Sequence, residues 1–185
     1  MILSISGMPG SGKTTAGKIV AQKLEVPFYS TGGLFRTLAQ ERGISLNELM
    51  RLGEEDKSIH TTIDQYQEQL GREQSHFVIE GRLSWYFIPH SFKVLLLCNT
   101  HEAARRIYEA KLTSQKERAD EKVYKTIEEA EQSLVERNTS DILGYRRHYG
   151  IDYSDPKHFD LVIDTTTSEG PEETAQRILQ ALPRI

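Results

Sequence analysis

The chain has 185 residues, with 23 Lys and Arg against 27 Asp and Glu for a formal net charge of −4, and 37% of its residues are hydrophobic. That length suits one domain, and the apolar content is enough to bury a core and too high for a disordered chain. A mildly acidic balance without a basic block excludes a non-specific polyanion binder, so no nucleic acid polymer is expected as partner and any phosphate must be met by a local site. Cys98 is the single cysteine, which leaves no intramolecular disulfide or cysteine-based zinc site and implies a reducing, cytoplasmic setting. The longest apolar runs, residues 1–5 and 94–98, are far too short to cross a bilayer, and neither a leader nor a membrane is expected.

In chain order, residues 2–6 (ILSIS) read as a buried strand. A glycine-rich turn follows, and then a helix with Ala16, Ile19, Val20 and Leu24 on one face. A weaker strand at residues 27–30 precedes a polar stretch, 34–74, with the capping-box spacing Ser45 to Glu48, which predicts two or three short amphipathic helices. Strands are predicted at 77–80 and 93–98. Thr100 is expected to cap a helix bearing Ala104, Ile107 and Tyr108, and Val123, Ile127, Ala130 and Leu134 form another helical stripe. Residues 101–149 carry ten Lys or Arg and ten Asp or Glu, the pattern of a solvated helical face rather than a basic arm. A last strand at 160–164 leads to a helix opened by Gly170-Pro171. Strands apolar on both faces and alternating with helices predict an α/β fold with an open, five-stranded parallel sheet flanked by helices.

The chemistry is concentrated after the first strand, where Gly7-Met8-Pro9-Gly10-Ser11-Gly12-Lys13-Thr14 matches G-x-x-x-x-G-K-[ST] and leads through Thr15 into a helix. Glycines let successive backbone N–H groups point at one phosphate, and the helix adds its positive end. Lys13 then meets the β- and γ-phosphates, and Thr14 ligates Mg²⁺. A dinucleotide fingerprint would need a third glycine or alanine at position 15, where Thr15 stands. A nucleoside triphosphate is therefore expected. Cys98-Asn99-Thr100-His101 stands where a Ras-type GTPase would carry its base-reading motif, which leaves a small kinase whose two polar inserts close over two substrates.

Further stretches follow in order: Ser30-Thr31-Gly32-Gly33-Leu34-Phe35-Arg36, Ile79-Glu80-Gly81-Arg82, Glu136-Arg137 with Ser140-Asp141, and Tyr149-Gly150-Ile151-Asp152. With the glycine-rich loop, this ordered set resembles nucleoside monophosphate kinases, most closely the cytidylate kinase family of the short, archaeal type, over the whole chain. The resemblance implies a single P-loop kinase domain over residues 1–185. Residues 34–74 would be the insert that binds the acceptor monophosphate, and about 111–119 the lid within the helical 101–149 region. It implies ATP as donor, Mg²⁺ as cofactor and CMP or dCMP as acceptor, and the lone Cys98 with no exposed apolar stripe makes a monomer the expectation. Arg36 and Arg82 would bind the acceptor phosphate, with Thr31 beside them, and Arg137 would bridge donor and acceptor phosphates. Asp141 would hold the acceptor ribose or base, Arg106 would stack on the donor adenine, and Glu80 would orient a water on Mg²⁺. Planar arginine forks suit phosphate oxygens. Trp85-Tyr86-Phe87 reads as core packing or a base-stacking platform. Gly33, Gly144 and the pair Glu109-Ala110 depart from the family pattern. They motivate two other readings: a kinase with a different acceptor, and a nucleotide-binding regulatory protein without transfer.

Overall fold

Strand β1 (Ile2–Gly7) is buried along its whole length because its two faces enter different environments. Leu3 and Ile5 join Val78, Val94, Leu96 and Ile163 in a core that Ala16, Val20, Ala175 and Ile178 close from helices described below. On the opposite face Ser4 hydrogen-bonds Ser91 at 2.7 Å, and Ser6 donates to the Arg82 carbonyl at 3.0 Å. This computed structural model describes residues 1–55, 57–113 and 124–183.

The chain continues through α1 (Lys13–Leu24), β2 (Phe28–Ser30), α2 (Thr31–Glu41), α3 (Leu46–Glu55), α4 (Lys57–Glu73), β3 (Phe77–Glu80) and α5 (Ser84–Phe87). It ends with β4 (Phe92–Leu97), α6 (Thr100–Thr113), α7 (Ile127–Tyr149), β5 (Leu161–Asp164) and α8 (Pro171–Ala181). The five strands are parallel in the order β2-β3-β1-β4-β5. One face is covered by α1 and α8; on the other, Ile2, Phe77 and Ile79 pack with Leu70 of α4 and Ile88. Burying each such Leu, Ile or Val contributes about 1.5–3 kcal/mol before the entropy of ordering is set against it. The chain leaves β1 toward β2 and leaves β3 toward β4, so the direction of winding reverses between these neighbours. Their carboxyl ends therefore frame the crevice of an open α/β sheet.

All five strands stand where the sequence pattern puts them. Residues 31–73 hold three helices, and α4 is a full 17 residues, longer than its polarity suggested. The Ser45–Glu48 box forms as expected, with Glu48 N donating to Ser45 Oγ at 3.1 Å. The cap of α6 is a correction: Thr100 is its first residue, and Asn99 Oδ1 accepts from His101 N at 2.8 Å and from Glu102 N at 3.4 Å. Asparagine is the stronger cap because its carbonyl reaches two amides of the first turn. Trp85 is buried at 6% exposure and stacks on His158 at 4.7 Å, whereas Tyr86 is 42% exposed, so Trp85-Tyr86-Phe87 divides between core and surface. Of the expected lid at 111–119, residues 111–113 form the last turn of α6 and 114–119 lie outside the described residues, as does Val123. Among the described residues, no helix is long and apolar enough to cross a membrane.

Candidate active site

The loop between β1 and α1 curls because Gly7, Gly10 and Gly12 adopt φ values of 148°, 81° and 87°, a region costly for side chains. Gly10 also lies so close to α6 that a Cβ there would stand 2.5 Å from the Ala103 carbonyl oxygen, and the loop is thereby seated on that helix. Gly12 offers α1 no side-chain cap and the first turn has no acid, which leaves its N–H groups for an anion. Lys13 Nζ donates to the Met8 carbonyl at 3.3 Å and so folds back over the loop. Ser11 Oγ is fully buried without a hydrogen-bond partner among the described residues.

Glu80 ends β3 at 5% exposure, opposite Ile5 of β1 and Ser30 of β2. Ser30 Oγ accepts from Gly33 N as the cap of α2 and donates to the Glu80 carboxylate. No cation pairs with Glu80 among the described residues. A buried acid without a cation is costly unless a positive group arrives to meet it. Gly81 permits a second close approach: a Cβ there would lie 2.6 Å from Thr31 Oγ1 and 2.4 Å from Ser84 Oγ. The start of α2, with Thr31, is thereby brought against the turn that carries Arg82. Arg36 curls back along α2, its Nη1 3.8 Å from where a Cβ on Gly32 would stand.

Arg82 is the centre of this half of the site. Its carbonyl is fixed by Ser6 Oγ and by Trp85 Nε1, each at 3.0 Å. Its guanidinium pairs with Asp141 of α7 at 2.6 Å and lies 5.8 Å over the Tyr153 ring, with side-chain exposures of 15% for Arg82 and 21% for Asp141. Burial would pull the Arg82 pKa down, but Tyr145, Asp141 and Tyr153 outweigh it and hold the charge in place. Arg82 Nε makes no aligned hydrogen bond among the described residues, whereas Nη2 is held by Asp141, which an incoming oxyanion would have to displace from it. Burial pushes the Tyr153 phenol up to about 12. Sequence reasoning missed Tyr145 and Tyr153, whose signal was the aromatic spacing around Tyr149-Gly150-Ile151-Asp152.

Arg106 lies on the side of the glycine-rich loop. Nε donates to Glu102 at 2.8 Å, Nη1 to Thr165 Oγ1 at 3.2 Å and Nη2 to the Thr165 carbonyl at 2.6 Å. Thr165 Oγ1 lies 3.1 Å from the Ser11 carbonyl, so Arg106 ties α6 to both the loop after β5 and the glycine-rich loop. Glu102 is held down to about 2, first by Arg105 and then by Arg106. Arg137 is not brought into these contacts. It stands exposed one turn before Asp141 on the same face of α7, without an ion pair among the described residues.

A second carboxyl lies close by. Asp64 of α4 accepts from the Tyr149 hydroxyl of α7 at 2.6 Å, and burial raises its pKa to about 6, against the opposing pull of Tyr149. The groups that act on it are Glu68 on α4 and Tyr145 and Tyr149 on α7, with His60 one turn before it on α4 facing His148. Its folded value lies above the unfolded 3.8, so the folded state binds the proton more tightly and the group destabilises the protein above pH about 6. Thermal melts of Asp64→Asn should therefore exceed the parent at pH 8, with the advantage vanishing near pH 4. A constant offset across that range would contradict the assignment.

Residues 2–167 match the model of the "Cytidylate kinase-like family". A cytidylate kinase of Methanococcoides burtonii is 36% identical over 166 residues, covering 90% of this chain and 88% of its own. Another, from Methanobrevibacter smithii, is 32% identical over the full length of both chains. Among solved structures, an uncharacterized protein from Eubacterium ventriosum superposes with a TM-score of 0.71 at 16% identity, covering 97% of this chain and 96% of its own. The shikimate kinase of Bacteroides thetaiotaomicron does so at 0.62 and 18%, covering 97% and 96%; these two likenesses concern the fold alone. On the family model, and on relatives above 30% identity that span almost the whole chain, the protein belongs to the cytidylate kinase-like family.

Proposed function

We propose that the protein transfers the γ-phosphoryl group of ATP to CMP or dCMP, with Mg²⁺, giving ADP and the nucleoside diphosphate. The observation that carries this reading is the buried Arg82 guanidinium, held against Asp141 with Nε unpaired among the described residues, in the crevice that also holds the glycine-rich loop. Donor and acceptor phosphates repel each other, and catalysis of their reaction consists largely of aligning them and neutralising charge in a water-poor site. The loop N–H groups and Lys13 serve the donor. Arg82 and Arg36 serve the acceptor phosphate, whose oxygen attacks the γ-phosphorus as the bond to the β,γ-bridging oxygen breaks.

On this reading Arg137 would meet the transferring group on closure of the site, Thr31 would bind beside the acceptor phosphate, and Asp141 would exchange Arg82 for an acceptor hydroxyl or base. Arg106 borders the donor base. Magnesium retains most of its waters and needs few protein ligands, which fits Thr14 with the buried, cation-free Glu80 acting through water; the ion would neutralise charge on the phosphates. The expected lid at residues 111–119 and the acceptor insert at 34–74 complete the reading as closing elements.

A different acceptor is the second reading, favoured by Gly144, where a Cβ would meet nothing within 4 Å. The backbone does not require glycine there, and the open space would suit another base. ADP release measured with CMP, dCMP, UMP, AMP and GMP separates these readings. CMP or dCMP should exceed the others in kcat/KM by about 10²-fold or more, because a site built to hydrogen-bond one base edge leaves polar groups unpaired with another. Equal rates with UMP or AMP would defeat the cytidylate assignment. ATP binding without transfer to any acceptor would favour a regulatory protein.

A further inference from the structure

Helix α4 presents His60, Asp64 and Gln67 along one face, at spacings that superpose side chains. Two of them reach the elements that carry the Arg82–Asp141 pair. Gln67, 3% exposed, accepts from Ser84 Oγ at 2.8 Å through Oε1 and returns Nε2 to the Ile63 carbonyl at 3.4 Å. Ser84 opens α5, two residues beyond Arg82. Asp64 accepts from Tyr149, two turns beyond Asp141 on α7. From Tyr149 the contacts continue inward: its ring lies 5.7 Å from Phe87 and 6.2 Å from Tyr145, and Tyr145 lies 5.7 Å from the Tyr153 ring beneath Arg82. One helix face thus addresses the guanidinium by one route and its carboxylate partner by another. A carboxyl is held out of water for this purpose, at a cost its raised pKa records.

We propose that Asp64 and Gln67 are positioning residues for the acceptor, with Asp64 holding α7 through Tyr149 and Gln67 holding the Arg82 turn through Ser84, so that Arg82 and Asp141 stay in register. This rests on the reading of the crevice as a nucleoside monophosphate site. Neither residue needs to touch the acceptor.

Steady-state kinetics with ATP and the best acceptor of the panel test it. Asp64→Ala and Tyr149→Phe should each raise the acceptor KM about tenfold, the loss of one hydrogen bond to a charged group, with kcat changed less than about threefold and the ATP KM constant. The double variant should be no worse than either single one, since both remove one interaction. Asp64→Asn keeps an acceptor oxygen for Tyr149 and should restore the parental KM. Gln67→Met should act in the same direction, and adding Ser84→Ala should make it no worse.

An acceptor KM within about twofold of the parent, an ATP KM rising in step, or Asp64→Asn as impaired as Asp64→Ala would overturn the proposal. Hydrogen exchange without ligand is an independent test. The Tyr86, Phe87 and Ile88 amides, bonded to the Leu83 and Ser84 carbonyls, should exchange about tenfold faster in Gln67→Met; unchanged exchange would sink the positioning role whatever the acceptor. If the parent transfers to no nucleoside monophosphate, the functional reading fails, and this exchange result alone decides the positioning.

Discussion

Lys13→Ala is expected to lower kcat by at least about 10²–10³-fold, the cost of deleting one preorganised charge donor to a transferring group. The fold should survive. Lys13 is the first residue of α1, its ammonium folds back on the Met8 carbonyl of its own loop, and alanine is favourable in a first helical turn. The melting profile should therefore shift by no more than about 0.5 kcal/mol, the scale of a surface substitution. Turnover and thermal melts on the same preparation check both halves. A folded variant with parental turnover would refute the phosphate role of the loop, and an unfolded one would refute its separation from stability.

The second large effect concerns Arg82, where stability and activity should come apart. Arg82→Met leaves Asp141 without its cation in a site where that carboxylate is 21% exposed, and the expected loss is about 3 kcal/mol, the lower end for breaking a buried pair. Adding Asp141→Leu should recover most of that stability, because the two apolar side chains then fill the space beside Tyr145 and Tyr153 without an unpaired charge. Transfer should stay abolished in both variants, since no planar fork is left for the acceptor phosphate. Urea midpoints and kcat/KM provide the comparison. If the double variant is as unstable as Arg82→Met, the pair is not an electrostatic unit, and if it is active, Arg82 is not an acceptor ligand.

These two residues differ in how far the sequence announces them. Lys13 belongs to a loop whose glycines, lysine and hydroxyl are consecutive, so the chemistry follows from local backbone freedom and a helix start. The strands were legible for a similar reason, since β1 and β4 are short runs rich in Ile, Leu and Val and bounded by turn residues. The cap of α6 was misplaced by one residue because Asn99 and Thr100 are both good caps, and which one keeps extended backbone depends on the turn out of β4. Arg36, Arg106 and Arg137 looked alike in the sequence, each an arginine in an amphipathic helix, and only Arg82 was set apart by its place just past a strand end. In the fold Arg82 is buried against Asp141, Arg106 braces the loop after β5, and Arg137 stands exposed.

By itself, the sequence determined the class of fold, the phosphate loop and the local nature of any phosphate site in an acidic chain, because these depend on composition, short periodicity and consecutive residues. Only the tertiary structure decided the strand order, the pairing of Arg82 with Asp141 and the hydrogen bond between Asp64 and Tyr149, which are 85 residues apart. The physical reason is that helix and strand periods specify which face of an element is buried but not which element covers it. That choice is made by packing, and here packing turns an ordinary helical aspartate into a carboxyl held up to about 6 beside the candidate site.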